Sequence, residues 1–184
     1  MMKLISRLCL WLAGWKLEGA IPHEIKKCVL IAVPHTSNFD YPIAMAMFYL
    51  MGINFKYLIK KESMVFPFSL FLKASGAIAV DRKKNTNLVA SIIEIINTAD
   101  NIVIVIPAEG TRKLVKKWKL GFYYVALGAG VPIVLSYLDY EKKIGGIGPA
   151  IYPTGNLAKD MCQIREFYKD VIPRHPENVS FDII

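Results

Sequence analysis

The sequence has little of what metal sites and disulfide frameworks require. Among its 184 residues there are only three cysteines, Cys9, Cys28 and Cys162, and three histidines, and neither set is closely spaced. An odd number of cysteines with no CxxC pair argues against a disulfide framework and against a zinc site, and favours reduced thiols in a cytosolic setting. We therefore predict that the protein has no resident metal ion.

The chain also lacks internal repeats, low-complexity segments and a recognisable linker. At this length, with 54% hydrophobic residues, it can bury one full core but not two, so we predict a single domain over residues 1–184. The longest uncharged run, the 19 residues 120–138, has the length of a membrane span, but glycines and a proline at 128–132 interrupt it. We interpret it as a helix over 122–127 followed by a strand over 133–138.

Acidic residues are comparatively few. Fifteen Asp and Glu residues against 23 Lys and Arg residues give a net charge of +8, in a chain whose mean hydropathy is positive. This combination fits an anionic membrane surface or anionic substrates. Nucleic acid is the weaker candidate, and we predict no such partner, because no RNA-binding signature, zinc finger or basic heptad pattern is present. A plain basic surface without a partner is the remaining interpretation.

Residues 1–17 have the pattern of an amphipathic helix. Five apolar residues share one side of it: Leu4, Leu8, Trp11, Leu12 and Trp15. Three cations accompany them: Lys3, Arg7 and Lys16. The segment is too short to span a bilayer, and no convincing signal-peptidase site follows it. Two interpretations stay open, an interfacial helix in the lipid headgroup layer and a helix that packs its apolar stripe on its own domain.

Apolar runs of strand length alternate with helix-like segments along the chain. We predict strands at 28–33, 55–59, 77–80, 102–106 and 133–138, and helices at 39–51, 86–98, 122–127 and from the cap Asn156 to about 171. Residues 144–152 are expected to return as an edge strand or hairpin. The pattern predicts an α/β, single-domain layered αβα fold with a largely parallel central sheet and an amphipathic N-terminal helix. The Phe-rich stretch 64–72 is core, a lipid contact or the lining of an acyl groove.

Two short polar stretches each follow a predicted strand directly. One is His-Thr-Ser-Asn-Phe-Asp at 35–40, and the other is Glu-Gly-Thr-Arg at 109–112. Small ligands bind beyond the carboxyl ends of strands in sheets of this kind, so one crevice can collect His35, Arg82 and residues 109–112. With Ser37 or Asn38 as the helix N-cap, Asp40 falls in the first helical turn. Taken alone, His35 is better explained as a hydrogen-bonded loop histidine.

Four blocks taken together resemble, in order and spacing, the glycerolipid acyltransferases, which include the glycerol-3-phosphate and lysophosphatidic acid acyltransferases. The blocks are His35 with Asp40, residues 76–82, residues 107–112 and residues 131–134. The resemblance extends over about residues 30–138, and the first and third blocks are the most specific. Three positions depart from the family pattern without touching the residues expected to do chemistry: Pro34, Ala108 and Lys113.

The resemblance implies transfer of a fatty acyl group from an acyl-CoA or acyl-carrier-protein thioester to the hydroxyl of lysophosphatidic acid or a related lysolipid. These thioesters are co-substrates, and no resident cofactor is expected. His35 is implied as the general base, and Asp40 as the group that orients it and stabilises its imidazolium. A substrate-binding role is implied for five further residues: Arg82, Glu109, Gly110, Thr111 and Arg112.

Within that set, the two arginines suit an acceptor phosphate, and Gly110 and Thr111 add backbone and hydroxyl donors. Glu109 is expected to hold an arginine or the acceptor hydroxyl. The lysines of 113–119 either attract the donor's phosphates or the carrier protein, or form a solvated loop.

The resemblance further implies a role in phospholipid biosynthesis and a peripheral location on the cytoplasmic face of the membrane. The expected partners are an anionic membrane surface, the thioester donor and a lysophospholipid acceptor. The alternative hypothesis is a non-catalytic basic module on the same fold that binds lipid or nucleic acid.

Overall fold

The computed structural model describes residues 2–80 and 88–179. The strands in these ranges are β1 (Lys16–Glu18), β2 (Lys27–Ala32), β3 (Phe55–Lys60), β4 (Ala77–Val80), β5 (Ile102–Ile106), β6 (Ile133–Asp139) and β7 (Ile144–Ile151). The α-helices are α1 (Met2–Leu12), α2 (Asp40–Met51), α3 (Phe68–Ala74), α4 (Leu88–Thr98), α5 (Gly121–Ala129) and α6 (Leu157–Tyr168).

The strands form one sheet in the order β1-β7-β6-β2-β5-β3-β4. Strands β6, β2, β5, β3 and β4 run parallel, β7 is antiparallel to β6, and β1 pairs with β7 in parallel. The predicted α/β class with a largely parallel sheet is confirmed. The predicted hairpin at 144–152 is also confirmed, but β7 is not an edge strand, because β1 covers its outer side.

Helices cover both faces of the sheet. Successive side chains of β2 point to opposite faces and show why both faces need this cover. Cys28 and Leu30 pack with residues of α1 and α2 on one face, and Val29 and Ile31 pack with residues of α4, α5 and α6 on the other. All four side chains are fully buried. A strand that is apolar on every residue is stable only between two layers of helices, which is the predicted αβα arrangement.

Helix α1 is shorter than the sequence pattern predicts. It ends at Leu12, and Gly14, at φ 74°, reverses the chain so that Trp15 turns into the core and Lys16 begins β1. The assignment of Trp15 to the apolar side of a helix over residues 1–17 is therefore wrong. A positive φ is available to glycine at little cost, which is why the helix ends there.

The apolar side of α1 does not pack on the domain. Leu4, Leu8, Trp11 and Leu12 are 72%, 54%, 70% and 71% exposed, while Leu10 on the other side is buried against α2. The interpretation in which this stripe covers its own domain is wrong for these four side chains. No helix in residues 2–80 or 88–179 combines the length and apolar character needed to cross a bilayer.

Helix α2 starts at Asp40 with Phe39 as its N-cap, and no side chain caps it. The predicted capping by Ser37 or Asn38 is wrong, because the Ser37 hydroxyl accepts the N–H of Phe39 within the loop. The other boundaries are close to prediction: α2 ends at Gly52, at φ 71°, and Asn156 accepts the N–H of Lys159 at the start of α6.

The predicted change from helix to strand at 128–132 is confirmed, since Gly130 lies between α5 and β6.

Candidate active site

Three neighbouring parallel strands deliver polar residues to the same edge of the sheet. Strand β2 lies between β5 and β6, and parallel strands have their carboxyl ends on one side. His35 follows β2, Glu109 follows β5 and Tyr140 follows β6 directly. The topology therefore brings together groups that are far apart in the chain.

The imidazole of His35 is hydrogen-bonded to the carboxylate of Asp40, with Nδ1 and Oδ2 3.0 Å apart. The same oxygen accepts the backbone N–H groups of Thr36 at 3.0 Å and Ser37 at 2.9 Å. The other oxygen, Oδ1, accepts the hydroxyl of Tyr140 at 2.6 Å. Asp40 is thus buried with donors on both oxygens, while the His35 side chain is 24% exposed.

Burial by itself raises the pKa of Asp40, but the hydrogen bonds from His35, Tyr140 and the Ser37 N–H outweigh it and bring that pKa below its ordinary value. Asp40 therefore stays ionised at neutral pH, and a neutral His35 donates from Nδ1. The remaining ring nitrogen, Nε2, is then the proton acceptor. This is the arrangement in which an aspartate orients a histidine base.

Glu109 is buried and faces the backbone of the His35 loop. Its Oε1 accepts the N–H of His35 at 3.1 Å, and its Oε2 has no hydrogen-bond partner among the described residues. Burial raises the pKa of Glu109. The contact ties the His35 loop to the end of β5, and the expected contact of Glu109 with an arginine or the acceptor hydroxyl stays a prediction.

Gly110, Arg112 and Lys119 line a cavity beside His35. Gly110 has φ 66°, and a Cβ at this position would meet the side chain of Lys119 at about 2.9 Å. The absent side chain thus makes room for the Lys119 ammonium. Thr111 accepts the N–H of Lys113 within the loop. Arg82, which was also expected at the site, lies outside the described residues.

The cavity has a volume of about 820 Å³ and reaches from the His–Asp pair to the β3–α3 region. Its wall is mostly apolar, as these six residues show: Met45, Phe48, Phe55, Leu58, Phe71 and Val89. The hydroxyls of Tyr41 and Tyr57, 3.0 Å apart, are polar points in that wall. Phe71 and Leu72 of the Phe-rich stretch line part of the cavity. Phe71 is nevertheless 65% exposed, and Val65, Phe66 and Leu70 are exposed as well.

Sequence reasoning missed one residue at this site, Tyr140, and did not distinguish Lys119 from the other lysines of 113–119. Its packing on Gly110 and its place in the cavity wall separate Lys119 from its neighbours. Tyr140 directly follows the strand that begins in the fourth block, and that position was the available signal. In the described part of the chain, no group of three or more His, Cys, Asp or Glu side chains is arranged to hold a metal ion.

The sequence model of the acyltransferase family matches residues 16–136, which is more than half of the chain and includes both polar stretches. The chain belongs to the acyltransferase family. The resemblance stated from the sequence is thereby confirmed at the level of the family, and the His35–Asp40 pair lies inside the matched segment.

A solved structure is also similar to this acyltransferase. It is the crystal structure of the 1-acyl-sn-glycerophosphate (LPA) acyltransferase PlsC from Thermotoga maritima, with a TM-score of 0.64 and 16% sequence identity. The alignment covers 96% of this chain and 77% of that one. At this identity the likeness shows a shared fold. No curated protein matches the sequence significantly.

Proposed function

We propose that this acyltransferase transfers a fatty acyl group from an acyl-CoA or acyl-carrier-protein thioester to the hydroxyl of an anionic lysolipid, with lysophosphatidic acid as the leading acceptor. The observation that carries the proposal is the His35–Asp40 hydrogen bond in the wall of a largely apolar cavity. An alcohol attacks a thioester readily only when a base removes its proton, and a neutral imidazole is well matched to that task near pH 7.

In the proposed reaction, Nε2 of His35 takes the proton of the acceptor hydroxyl as the oxygen attacks the thioester carbonyl. The Asp40 carboxylate stabilises the imidazolium that forms. Collapse of the tetrahedral intermediate breaks the C–S bond, and the departing thiolate takes the proton from His35. An ester and a free thiol result, and no serine nucleophile takes part.

The cavity suits an acyl chain. Each methylene buried in it contributes about 0.8 kcal/mol of favourable transfer free energy. The apolar wall, which includes Phe48, Phe55 and Leu58, offers such burial in the cavity that His35 and Asp40 also line. Removal of water from this region also strengthens the interactions of the His–Asp pair.

An anionic acceptor is supported by Arg112 and Lys119, the two cations that line the cavity in the described part of the chain. We assign the acceptor phosphate to this pair, with Gly110 and Thr111 as further donors, and keep Arg82 as a proposed ligand on the basis of the sequence block. Glu109 is proposed to act on the acceptor through the His35 loop it holds. The exposed lysines 113, 116 and 117 are proposed to attract the negatively charged donor.

The acceptor assignment is tested by replacing either cation. Arg112→Gln and Lys119→Gln are each expected to raise KM for lysophosphatidic acid about 10-fold, since a hydrogen bond to a charged group contributes about 1.5–3 kcal/mol. KM for the uncharged monoacylglycerol should stay unchanged. Lys159→Gln, which removes an exposed cation from α6, is the control. Equal effects of Arg112→Gln on both acceptors would contradict the assignment.

A peripheral location on the cytoplasmic face of the membrane is supported by the exposed apolar side of α1 and by Lys3 and Arg7 beside it. An amphipathic helix of this composition binds in the headgroup layer through apolar burial and attraction to anionic lipid. The helix packs on α2, whose first residue is Asp40, so the membrane-facing helix lies one element away from the site.

The double variant Leu8→Glu/Trp11→Glu is expected to weaken binding to vesicles containing anionic lipid by about 10-fold or more, because each large side chain contributes about 1.5–3 kcal/mol on burial. Co-sedimentation with vesicles measures the change. Tyr152→Glu, at an exposed aromatic residue beside the amino end of β6, is the matched control and should bind like wild type. Unchanged binding of the double variant would remove α1 from the proposed membrane surface.

A further inference from the structure

The carboxylate of Asp40 is held differently on its two oxygens. Oδ2 accepts three hydrogen bonds, all from residues of its own loop, His35, Thr36 and Ser37. Oδ1 faces the opposite way, and its donor among the described residues is the hydroxyl of Tyr140, at 2.6 Å. On the Oδ1 side, the carboxylate is therefore held by a contact from a distant part of the chain, which helps to set the direction in which Oδ2 meets His35.

Tyr140 is itself held in place by several contacts. Its backbone N–H donates to the carbonyl of Ile172 at 2.8 Å. Its ring packs edge-on against Trp15, with centroids 5.0 Å apart and planes at 89°, and the ammonium of Lys143 lies 5.8 Å from the ring centroid. Burial and the adjacent Asp40 carboxylate raise the pKa of Tyr140, so the phenol keeps its proton and acts as the donor.

The segment 172–175 contacts both Tyr140 and the loop that carries His35. Arg174 lies near Tyr140, where its positive charge acts to lower the pKa of that phenol, and its guanidinium lies 4.1 Å from the ring centroid of Phe39. The N–H of His175 donates to the Thr36 hydroxyl at 3.2 Å. Tyr140 and this segment both lie beyond residue 136, where the match to the acyltransferase family ends.

We propose that Tyr140 is a positioning residue for acyl transfer, whose hydroxyl fixes the Asp40 carboxylate so that Oδ2 faces Nδ1 of His35. The inference rests on the proposed function, because it acts through the same base. Without the phenol hydroxyl, Oδ1 is buried with no donor among the described residues, and the carboxylate is held from the Oδ2 side alone. A base that is less well aimed lowers the rate of proton transfer more than it lowers substrate binding.

Loss of the Tyr140 hydroxyl should also change how kcat/KM depends on pH. A hydrogen bond to a carboxylate disperses its charge, so removing it makes Asp40 attract a proton, and the imidazolium of His35, more strongly. The other charged groups near the pair in the described residues include Glu109, Arg112 and Lys119 on the cavity side and Arg174 beside Tyr140, and all of them remain. The acid limb of the kcat/KM profile should therefore move to higher pH.

Tyr140→Phe is the direct test, and Tyr123→Phe is its matched control. Tyr123 also donates to a buried aspartate, Asp160, at 2.8 Å, but in the core beneath α6 and away from the cavity. For Tyr140→Phe we expect kcat about 10-fold or more below wild type, KM within about 2-fold, and an acid limb shifted upward by about 0.5–1 pH unit. Tyr123→Phe should unfold at a lower temperature while keeping the wild-type pH profile.

The phenyl ring of Tyr140→Phe retains the contact with Trp15 and the backbone bond to Ile172, so the variant should fold, which thermal unfolding checks. A 13C NMR titration of the Asp40 carboxyl adds a measurement that needs no turnover, and the carboxyl should titrate at higher pH in Tyr140→Phe than in wild type. An unchanged kcat and pH profile, or a carboxyl titration identical to that of wild type, would overturn the inference.

The inference and the proposed function fail in different ways. If His35→Ala keeps its turnover, the proposed function is wrong whatever Tyr140→Phe does. If His35→Ala is inactive and Tyr140→Phe behaves like wild type, the proposed function stands and only the role of Tyr140 is wrong.

Discussion

His35→Ala is expected to lower kcat for acyl transfer by about 10³-fold, within the range that a general base contributes. The reason is that Nε2 of His35 is the proton acceptor which the hydrogen bond to Asp40 leaves available. The acceptor hydroxyl of the variant must attack with its proton still in place. Steady-state kinetics with a thioester donor and lysophosphatidic acid measure the change.

The fold should survive this substitution, because Asp40 keeps the donors Thr36, Ser37 and Tyr140 when the imidazole is removed. Thermal unfolding and vesicle binding should both match wild type. His23→Ala is the control, since His23 is exposed and precedes β2 at the opposite edge of the sheet. Wild-type turnover in His35→Ala would rule out the proposed base.

Asp40→Asn is expected to lower kcat by about 10²- to 10⁴-fold while KM changes little, because it removes the charge that stabilises the His35 imidazolium. The amide oxygen can take the place of Oδ2 and accept the same three hydrogen bonds from the loop. The amide NH₂ then faces the Tyr140 hydroxyl, which can accept as well as donate. The geometry is retained, so the loss measures the charge. A variant with nearly full kcat would contradict the role assigned to Asp40.

Because the pKa of Asp40 is lowered in the fold, Asp40→Asn should also change how the free energy of unfolding depends on pH. A carboxyl whose pKa is lower in the folded state stabilises the fold above its unfolded-state pKa, near 4, and this contribution is lost as pH falls through the folded-state pKa. The free energy of unfolding of wild type should therefore decrease below about pH 4, and Asp40→Asn should show a smaller decrease. Denaturant unfolding at pH 7 and at lower pH, within the folded range, tests this difference.

The sequence predicted the elements of the site better than their contacts. Periodicity placed His35 and Glu109 after strands because continuous apolar runs define buried strands well. It did not show that β2 lies between β5 and β6, which is what brings Glu109 to the backbone of His35. The bond from Tyr140 to Asp40 joins residues 100 positions apart, and nothing in the local pattern of either segment encodes it.

In the N-terminal segment, the sequence pattern misplaced the end of an element. Trp15 fits the helical period of residues 1–17. The helix nevertheless ends at Leu12, Gly14 reverses the chain, and Trp15 packs on Tyr140. A period of 3.6 residues identifies one face of a helix but does not locate its end. The cap prediction at α2 failed for a related reason, since the loop uses its side chains to satisfy its own backbone donors.

The most direct test of the proposed chemistry is to incubate the purified wild-type enzyme with deuterated oleoyl-CoA and lysophosphatidic acid, and to quantify free thiol and labelled products by mass spectrometry. We expect one labelled phosphatidic acid for each thiol released, thiol release that depends on the acceptor, and formation of both products about 10³-fold slower with His35→Ala. The account is contradicted if no labelled ester forms with lysophosphatidic acid or any other lysolipid, whether the donor is acyl-CoA or acyl carrier protein. In that case, wild type and His35→Ala would bind anionic vesicles equally, and salt would weaken the binding of both.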